Sequence, residues 1–280
     1  MTLPPFDLHP ATTVDEARDL LVSHGDDAAV ICGGTELLLL LKLGYASYGH
    51  LVDIRHVGEL GGICLDDGTL SIGATATHRE IEQSPVVRDT LPALAAMERR
   101  VANLRVRNAG TLGGNLCFSD PHSDPATFLL ALDAEAEWDG RRAPLADFLV
   151  GPYQTKLEQG QLLRAVHIPL PPAGTVVVHR KLAFHERPAA TVTCAVRLEN
   201  GVVADVRIAV GSVGVTAVRA GAAEARLVGA SPHDDTAIGE AAEAAAESAD
   251  AIDDANGSAE YKAQLVRVLV RRCFDEAVER

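Results

Sequence analysis

The chain has 280 residues, of which 47% are hydrophobic and only 4% aromatic, so a sizeable core must rest on Ala, Val, Leu and Ile. A formal charge of −14 excludes the clustered basic face of a nucleic-acid binder and argues against adsorption to anionic lipid. Five scattered cysteines with no C-x-x-C pair exclude a zinc ribbon or an iron–sulfur cluster held by this chain alone, and their odd number points to reduced thiols.

Met1-Thr2-Leu3-Pro4-Pro5 lacks the basic and apolar regions of a signal peptide, and the leucine run 37–41 is too short to span a membrane. The expectation is a cytoplasmic protein with no transmembrane segment. Ten histidines include no H-x-x-x-H or H-E-x-x-H pair, so no metal site is expected from spacing.

Thr13 and Glu16 have capping-box spacing ahead of the apolar stripe Val14, Ala17, Leu20 and Leu21, which predicts a helix. Ala28–Ile31, then Gly33-Gly34-Thr35, then the leucines up to Lys42 read as strand, tight turn and helix. Leu51–Ile54 and Thr69–Gly73 read as strands, and His78–Val106 as helix broken at Pro85 and Pro92. Arg107–Pro125, rich in Gly, Asn, Ser, Asp and Pro, reads as an extended loop before a helical Ala126–Leu132.

Three prolines and a glycine in 169–174 place a domain boundary there. Beyond it, Thr175–His179 and Thr191–Leu198 read as strands, and Asn200-Gly201 as a hairpin turn into Val202–Val210. Helices are predicted over Val218–Val228, Asp235–Ala249 and Ala259–Val278. The second domain is therefore a small antiparallel sheet with helices.

Two glycine clusters carry the chemistry. Glycine lets backbone N–H groups approach a phosphate closely, and Gly33-Gly34-Thr35 lies in the strand–turn–helix context that such a donor loop needs. The same turn also serves as a plain tight connection. No G-x-G-x-x-G and no G-x-x-x-x-G-K-[ST] is present, which disfavours a Rossmann or P-loop site. The second cluster runs from Arg107 through Gly110-Thr111-Leu112-Gly113-Gly114-Asn115 to Ser123-Asp124-Pro125. Asn115, Ser123 and Asp124 offer hydrogen-bonding groups, and a carboxylate suits ribose or ribityl hydroxyls; a surface loop capping its own backbone is the alternative.

Together the two clusters resemble the FAD-binding subunit of the molybdenum hydroxylases, the family of xanthine dehydrogenase and aerobic carbon monoxide dehydrogenase. The first is similar to A-G-G-T/H-x-L-L and the second to R-N-x-G-T-I-G-G-N followed by S-D. Further matches are Gly151-Pro152-Tyr153-Gln154-Thr155, Ile168-Pro169-Leu170-Pro171, Gly211-Ser212-Val213 and Val218-Arg219-Ala220. The likeness runs nearly end to end. The sequence departs from the pattern at Cys32, where alanine is usual, at Leu39, where proline is common, and after Arg187, where an aspartate often follows.

The resemblance implies an α+β fold: a two-subdomain FAD-binding domain over 1–172, of the type shared with vanillyl-alcohol oxidase-like flavoproteins, and a small C-terminal α/β domain over 175–280. It implies that Ile31, Cys32, Gly33, Gly34, Thr35, Glu36 and Leu37 wrap the FAD pyrophosphate. Gly110, Thr111, Gly114 and Asn115 would hold the other side of the phosphates and the ribityl chain, with Asp124 on hydroxyls. Val101 would pack near the flavin, and Leu163 and Lys181 would contact the isoalloxazine ring. His78 and His122 are expected as polar contacts, and no residue of the chain is assigned as catalytic or metal-binding.

The implied partners are a large molybdopterin-binding subunit and a small subunit with two [2Fe–2S] clusters, in a dimer of heterotrimers. Electrons would pass from them through FAD to an external acceptor. A free-standing flavin oxidoreductase and a flavin-less assembly subunit are the rival readings.

Overall fold

The computed structural model describes residues 2–184 and 187–280. Strands β1 (Asp7–Pro10), β2 (Ala28–Ile31) and β3 (His50–Asp53) form a parallel sheet in the order β1-β3-β2. Helix α1 (Val14–His24) starts where Thr13 accepts a hydrogen bond from the Glu16 N–H, and it buries Val14, Ala17 and Leu21 against Val52, Ile54 and Leu60. Helix α2 (Leu37–Leu43) follows the glycine turn. Only Leu41 of its leucines is buried, while Leu39 and Leu43 remain exposed.

Two hairpins bracket the next layer. Strands β4 (Ile63–Asp66) and β5 (Thr69–Gly73) join through Asp67-Gly68, and β6 (Glu135–Trp138) and β7 (Arg141–Pro144) through Asp139-Gly140. Both residues of each turn have positive φ, the geometry that matches strand twist and that Asp-Gly adopts readily. Between them in sequence lie six short helices: α3 (His78–Gln83), α4 (Pro85–Thr90), α5 (Pro92–Glu98), α6 (Leu104–Ala109), α7 (Leu112–Phe118) and α8 (Asp124–Leu130). Thr77 and Glu80 form a full capping box, and Pro85 and Pro92 each open a new helix, where a missing N–H costs nothing.

The expected extended loop over 107–125 is corrected by the structure: α6, α7 and the start of α8 occupy it. Three side-chain caps explain this. Asn103 accepts from the Arg105 and Val106 N–H groups, Thr111 from Gly114 and Ser123 from Ala126. The polar residues that suggested a loop are helix starts.

After α9 (Leu145–Phe148) and the small pair β8 (Leu149–Gly151) and β9 (Gln154–Thr155), strand β10 (Leu163–Pro169) enters the middle of the first antiparallel sheet, whose order is β4-β5-β10-β6-β7. Strands β11 (Thr175–Ala183), β12 (Pro188–Glu199), β13 (Val202–Gly211) and β14 (Val218–Arg219) form a second antiparallel sheet. Asn200-Gly201 makes the β12–β13 turn as its sequence predicts. Helices α10 (Gly221–Leu227), α11 (Asp235–Ser248) and α12 (Ala259–Glu279) share a core with one face of this sheet, with Val266, Leu269, Val270, Cys273, Phe274 and Ala277 forming the buried stripe of α12.

The other face, through Val177, Ala195 and Ala209, joins the core around α5 and α8. The helix expected from Val218 begins three residues later, because Val218 and Arg219 pair with Val210 and Ala209 as β14. Among the described residues, no helix is long and apolar enough to cross a membrane.

Candidate cofactor-binding site

The two glycine clusters are packed on one another. A Cβ on Gly33 would stand 2.7 Å from the Gly110 Cα and closer still to the Ala109 carbonyl oxygen, so only glycine allows this approach. Gly34 has φ +67°, which turns the chain from β2 toward α2. Backbone bonds lock the second cluster in place: the His78 N–H donates to the Gly110 carbonyl (3.0 Å), Leu112 to Ala76 (3.0 Å) and Gly113 to Ala74 (3.0 Å).

Between them lies a cleft of about 350 Å3, a size usual for small-molecule and cofactor sites. Ile31, Cys32, Gly33, Gly34, Thr35, Glu36 and Leu37 line one side, and Gly110, Thr111, Gly114, Asn115 and Asp124 another. Val101, Phe118, Leu157, Leu162 and Leu163 add apolar side chains to the lining. Lys181 does not line the cleft. Its ammonium donates to Asp124 Oδ2 and to the Arg100 carbonyl (2.8 Å), behind the wall, which differs from the direct ring contact the resemblance implies.

Asp124 is the most constrained charge of the site. It is 5% exposed at the first position of α8. Burial alone would raise its carboxyl, but His179 and then Lys181 outweigh that and hold it below the ordinary carboxylate value. Lys181 takes Oδ2, while Oδ1 has no hydrogen-bond partner among the described residues, with His179 Nε2 3.5 Å away. An ionised carboxylate therefore stands in the lining of the cleft, with Oδ1 buried toward His179.

At the opposite loop the complementary situation holds. Among the described residues, the N–H groups of Gly34 and Thr35 donate to no protein acceptor. The Gly114 N–H is already used by the Thr111 hydroxyl, at 3.1 Å. Arg187 is the one ammonium or guanidinium in the described lining, and it is drawn to Asp120 (2.9 Å) and Glu36 (3.7 Å). An anionic group bound here must rely on backbone donors more than on side-chain charge. Unpaired backbone donors, an ionised carboxylate and apolar side chains in one cleft fit a flavin dinucleotide.

Sequence reasoning missed the residues that join this site to the C-terminal part of the chain. His122 bonds Asp120 (3.0 Å) and Asp254 (3.3 Å), and Asp254 pairs with the buried Lys262 (2.6 Å). Contacts between residues so far apart in sequence leave no local pattern. Two cysteines lie in the lining. Burial pushes the Cys32 thiol up, and the Cys117 thiol is pushed up to about 12 by the same cause, so neither is a thiolate at neutral pH.

The chain matches two family models: "FAD binding domain in molybdopterin dehydrogenase" over residues 4–171 and "CO dehydrogenase flavoprotein C-terminal domain" over residues 180–277. The carbon monoxide dehydrogenase medium chain of Hydrogenophaga pseudoflava is 33% identical over 99% of this chain and 98% of its own length. The putative xanthine dehydrogenase FAD-binding subunit of Escherichia coli K12 is 32% identical over 96% of this chain and 95% of its own. A solved carbon monoxide dehydrogenase structure from Hydrogenophaga pseudoflava superposes with a TM-score of 0.96 at 34% identity, covering 100% of this chain and 99% of that one. The cleft, the fold and these likenesses agree: the chain belongs to the FAD-binding oxidoreductase subunits of the molybdenum hydroxylase family.

Proposed function

We propose that the chain holds FAD in this cleft and relays electrons within a larger molybdenum enzyme, from [2Fe–2S] centres of a small partner subunit to an external acceptor. A large molybdopterin-binding subunit would carry the substrate oxidation, the assembly being a cytoplasmic dimer of heterotrimers. Bound FAD supplies the redox chemistry; the residues of this chain bind and orient it.

In this reading Ile31 to Leu37 wrap the pyrophosphate, with the Gly33, Gly34 and Thr35 N–H groups as donors. Gly110, Thr111, Gly114 and Asn115 close over the other side. Asp124 accepts from a ribityl or ribose hydroxyl, Val101 and Leu163 flank the ring, and Lys181 acts through Asp124. The cofactor domain, of the type shared with vanillyl-alcohol oxidase-like flavoproteins, would span 1–172 and the C-terminal domain 175–280. The exposed Leu39, Leu43 and Tyr45, on and just after α2, support a partner-covered surface there.

The observation that carries this reading is the gathering in one cleft of N–H donors at Gly34 and Thr35, which meet no acceptor among the described residues, with the ionised Asp124 carboxylate in the lining. The test is purification of the native complex and of the chain alone, with flavin spectra and metal analysis. Flavin with this chain, molybdenum and iron only with its partners, and loss of flavin in Gly34→Asp are the expected results. A native complex without flavin overturns the proposal. Substrate oxidation by the flavin-loaded chain alone would favour a free-standing oxidoreductase instead.

A further inference from the structure

The edge of the parallel sheet away from the cleft gathers three imidazoles that cofactor binding leaves unused. Asp7 stands opposite His50 and His9 opposite Val52 in the β1–β3 register, so Asp7, His9, His50 and Val52 share one face. Helix α1 packs on that face through Val14, Ala17 and Leu21 and ends with His24. Three elements thus deliver one histidine each to one place.

The rings are held side by side. His24 and His50 stack with centroids 3.7 Å apart and 23° between planes, and His9 and His24 with 4.9 Å and 28°. His9 Nε2 lies 3.0 Å from His50 Nδ1, and one nitrogen from each ring lies within 4.8 Å of the other two. The Asp7 carboxylate, on an exposed side chain, comes to 3.9 Å from His50 Nδ1. All three histidines are half-buried, so the cluster is open to solvent ions.

These distances suit a metal ion. Nitrogen ligands about 2.0–2.1 Å from a divalent ion stand roughly 2.9 Å apart at right angles and about 3.4 Å apart in a tetrahedron. The His9–His50 separation falls in that range. The ligand nitrogens all lie within 4.8 Å of one another, so the imidazoles must turn on their side-chain bonds to bring the remaining spacings into that range. The nearby Asp27 carboxylate is engaged by the Gly49 N–H at 2.7 Å and is not counted as a ligand.

We propose that His9, His24 and His50, with the Asp7 carboxylate completing the set, bind one divalent transition-metal ion of the imidazole-preferring class. The site is distinct from the flavin cleft. Ala28, beside His50 in the sheet, lies two residues before the first cleft residue of β2, Val30, roughly 7 Å at about 3.3 Å per residue. The ion would staple β1, β3 and α1 together, a structural tie on the sheet that carries the first glycine loop.

The test is equilibrium dialysis of the full holoprotein against Ni2+, with bound nickel counted by mass spectrometry. Wild type is expected to retain one equivalent per copy of this chain. His24→Gln and His50→Gln should each bind at least tenfold more weakly, while His233→Gln, an exposed histidine elsewhere, should bind like wild type. Flavin content confirms that each variant is folded; should one fail, His9→Gln replaces it as an independent ligand deletion. Equal retention by wild type and ligand variants, or an equal loss in His233→Gln, would show adventitious surface binding and overturn the proposal.

Discussion

Lys181 and Asp124 form a buried ion pair that ties strand β11 to the first turn of α8. Lys181 also donates to the Arg100 carbonyl, and His179, two residues earlier on the same face of β11, approaches the other carboxylate oxygen. The acid that faces the cleft is therefore oriented by the C-terminal sheet. The C-terminal part of the chain thus sets the position of a residue that lines the cleft.

Removing one member of this pair leaves the other charged and buried. Lys181→Met is expected to cost about 3 kcal/mol of stability, and Asp124→Asn a comparable amount. The double variant should recover part of the loss, giving a coupling energy that chemical denaturation of the four proteins measures directly. Additive costs would mean the pair contributes no coupling. Asp124→Asn should also weaken flavin retention, since the ionised carboxylate lies in the lining of the cleft.

Acid should unfold the protein in two stages. Asp53, Asp120, Asp124 and Asp254 all sit below the ordinary value of 3.8 in the folded chain. Their contribution is full above that value and is lost as pH falls through the lower folded values. His24 is lowered from 6.5, so the unfolded chain binds its proton first, and stability already falls as pH drops below 6.5. Urea midpoints should be level above pH 7, decline gently below 6.5 and collapse below about 4. His24→Gln should remove the first decline and leave the second.

Gly33→Ala tests the packing of the two loops. The new methyl meets backbone at Ala109 and Gly110, which cannot swing aside as a side chain could. An overpacking cost of roughly 1–3 kcal/mol is expected, together with flavin loss at concentrations where wild type stays loaded. Full flavin content with unchanged stability would show that the close approach of the loops is dispensable.

The first glycine loop of the cleft was legible as structure because β2, its glycine turn and α2 are consecutive in sequence, so one strand–turn–helix signal marks them. Asn115 and Asp124, which line the same cleft, were singled out by the second glycine cluster and the family pattern. Residues 107–125 were misjudged because Asn103, Thr111 and Ser123 can cap helices as well as make turns, and sequence alone does not separate the two. The His122–Asp254–Lys262 chain and the His9–His24–His50 cluster were invisible for another reason. Each joins elements distant in sequence, and only the assembled fold brings them together.

Asp254 and Lys262 should respond unequally to mutation. Lys262 is 1% exposed in its side chain and Asp254 24%. Asp254→Asn strands a buried ammonium and is expected to cost about 3 kcal/mol, while Lys262→Met leaves a carboxylate that water and His122 can still serve, at about 1 kcal/mol. Hydrogen exchange across residues 250–258 should rise in Asp254→Asn, because its carboxylate also accepts from the Asn256 N–H. Equal costs would show that burial of the lysine does not set the energetics.

Thiol labelling offers a direct reading of the cleft. Cys64 is exposed and should react at once with a thiol reagent. Cys194 and Cys273 are buried and should stay unlabelled until the chain unfolds; Cys117 is half-buried in the cleft lining, but its thiol is pushed up to about 12, which keeps it unreactive at neutral pH. Cys32 is the informative one. Burial raises its thiol and slows it, yet it is half-buried and lines the cleft between Ile31 and Gly33. Flavin-free protein should therefore label at Cys64 quickly and at Cys32 slowly, and FAD should abolish the slow phase alone. A slow phase that persists in the flavin-loaded protein would place the cofactor away from the first glycine loop.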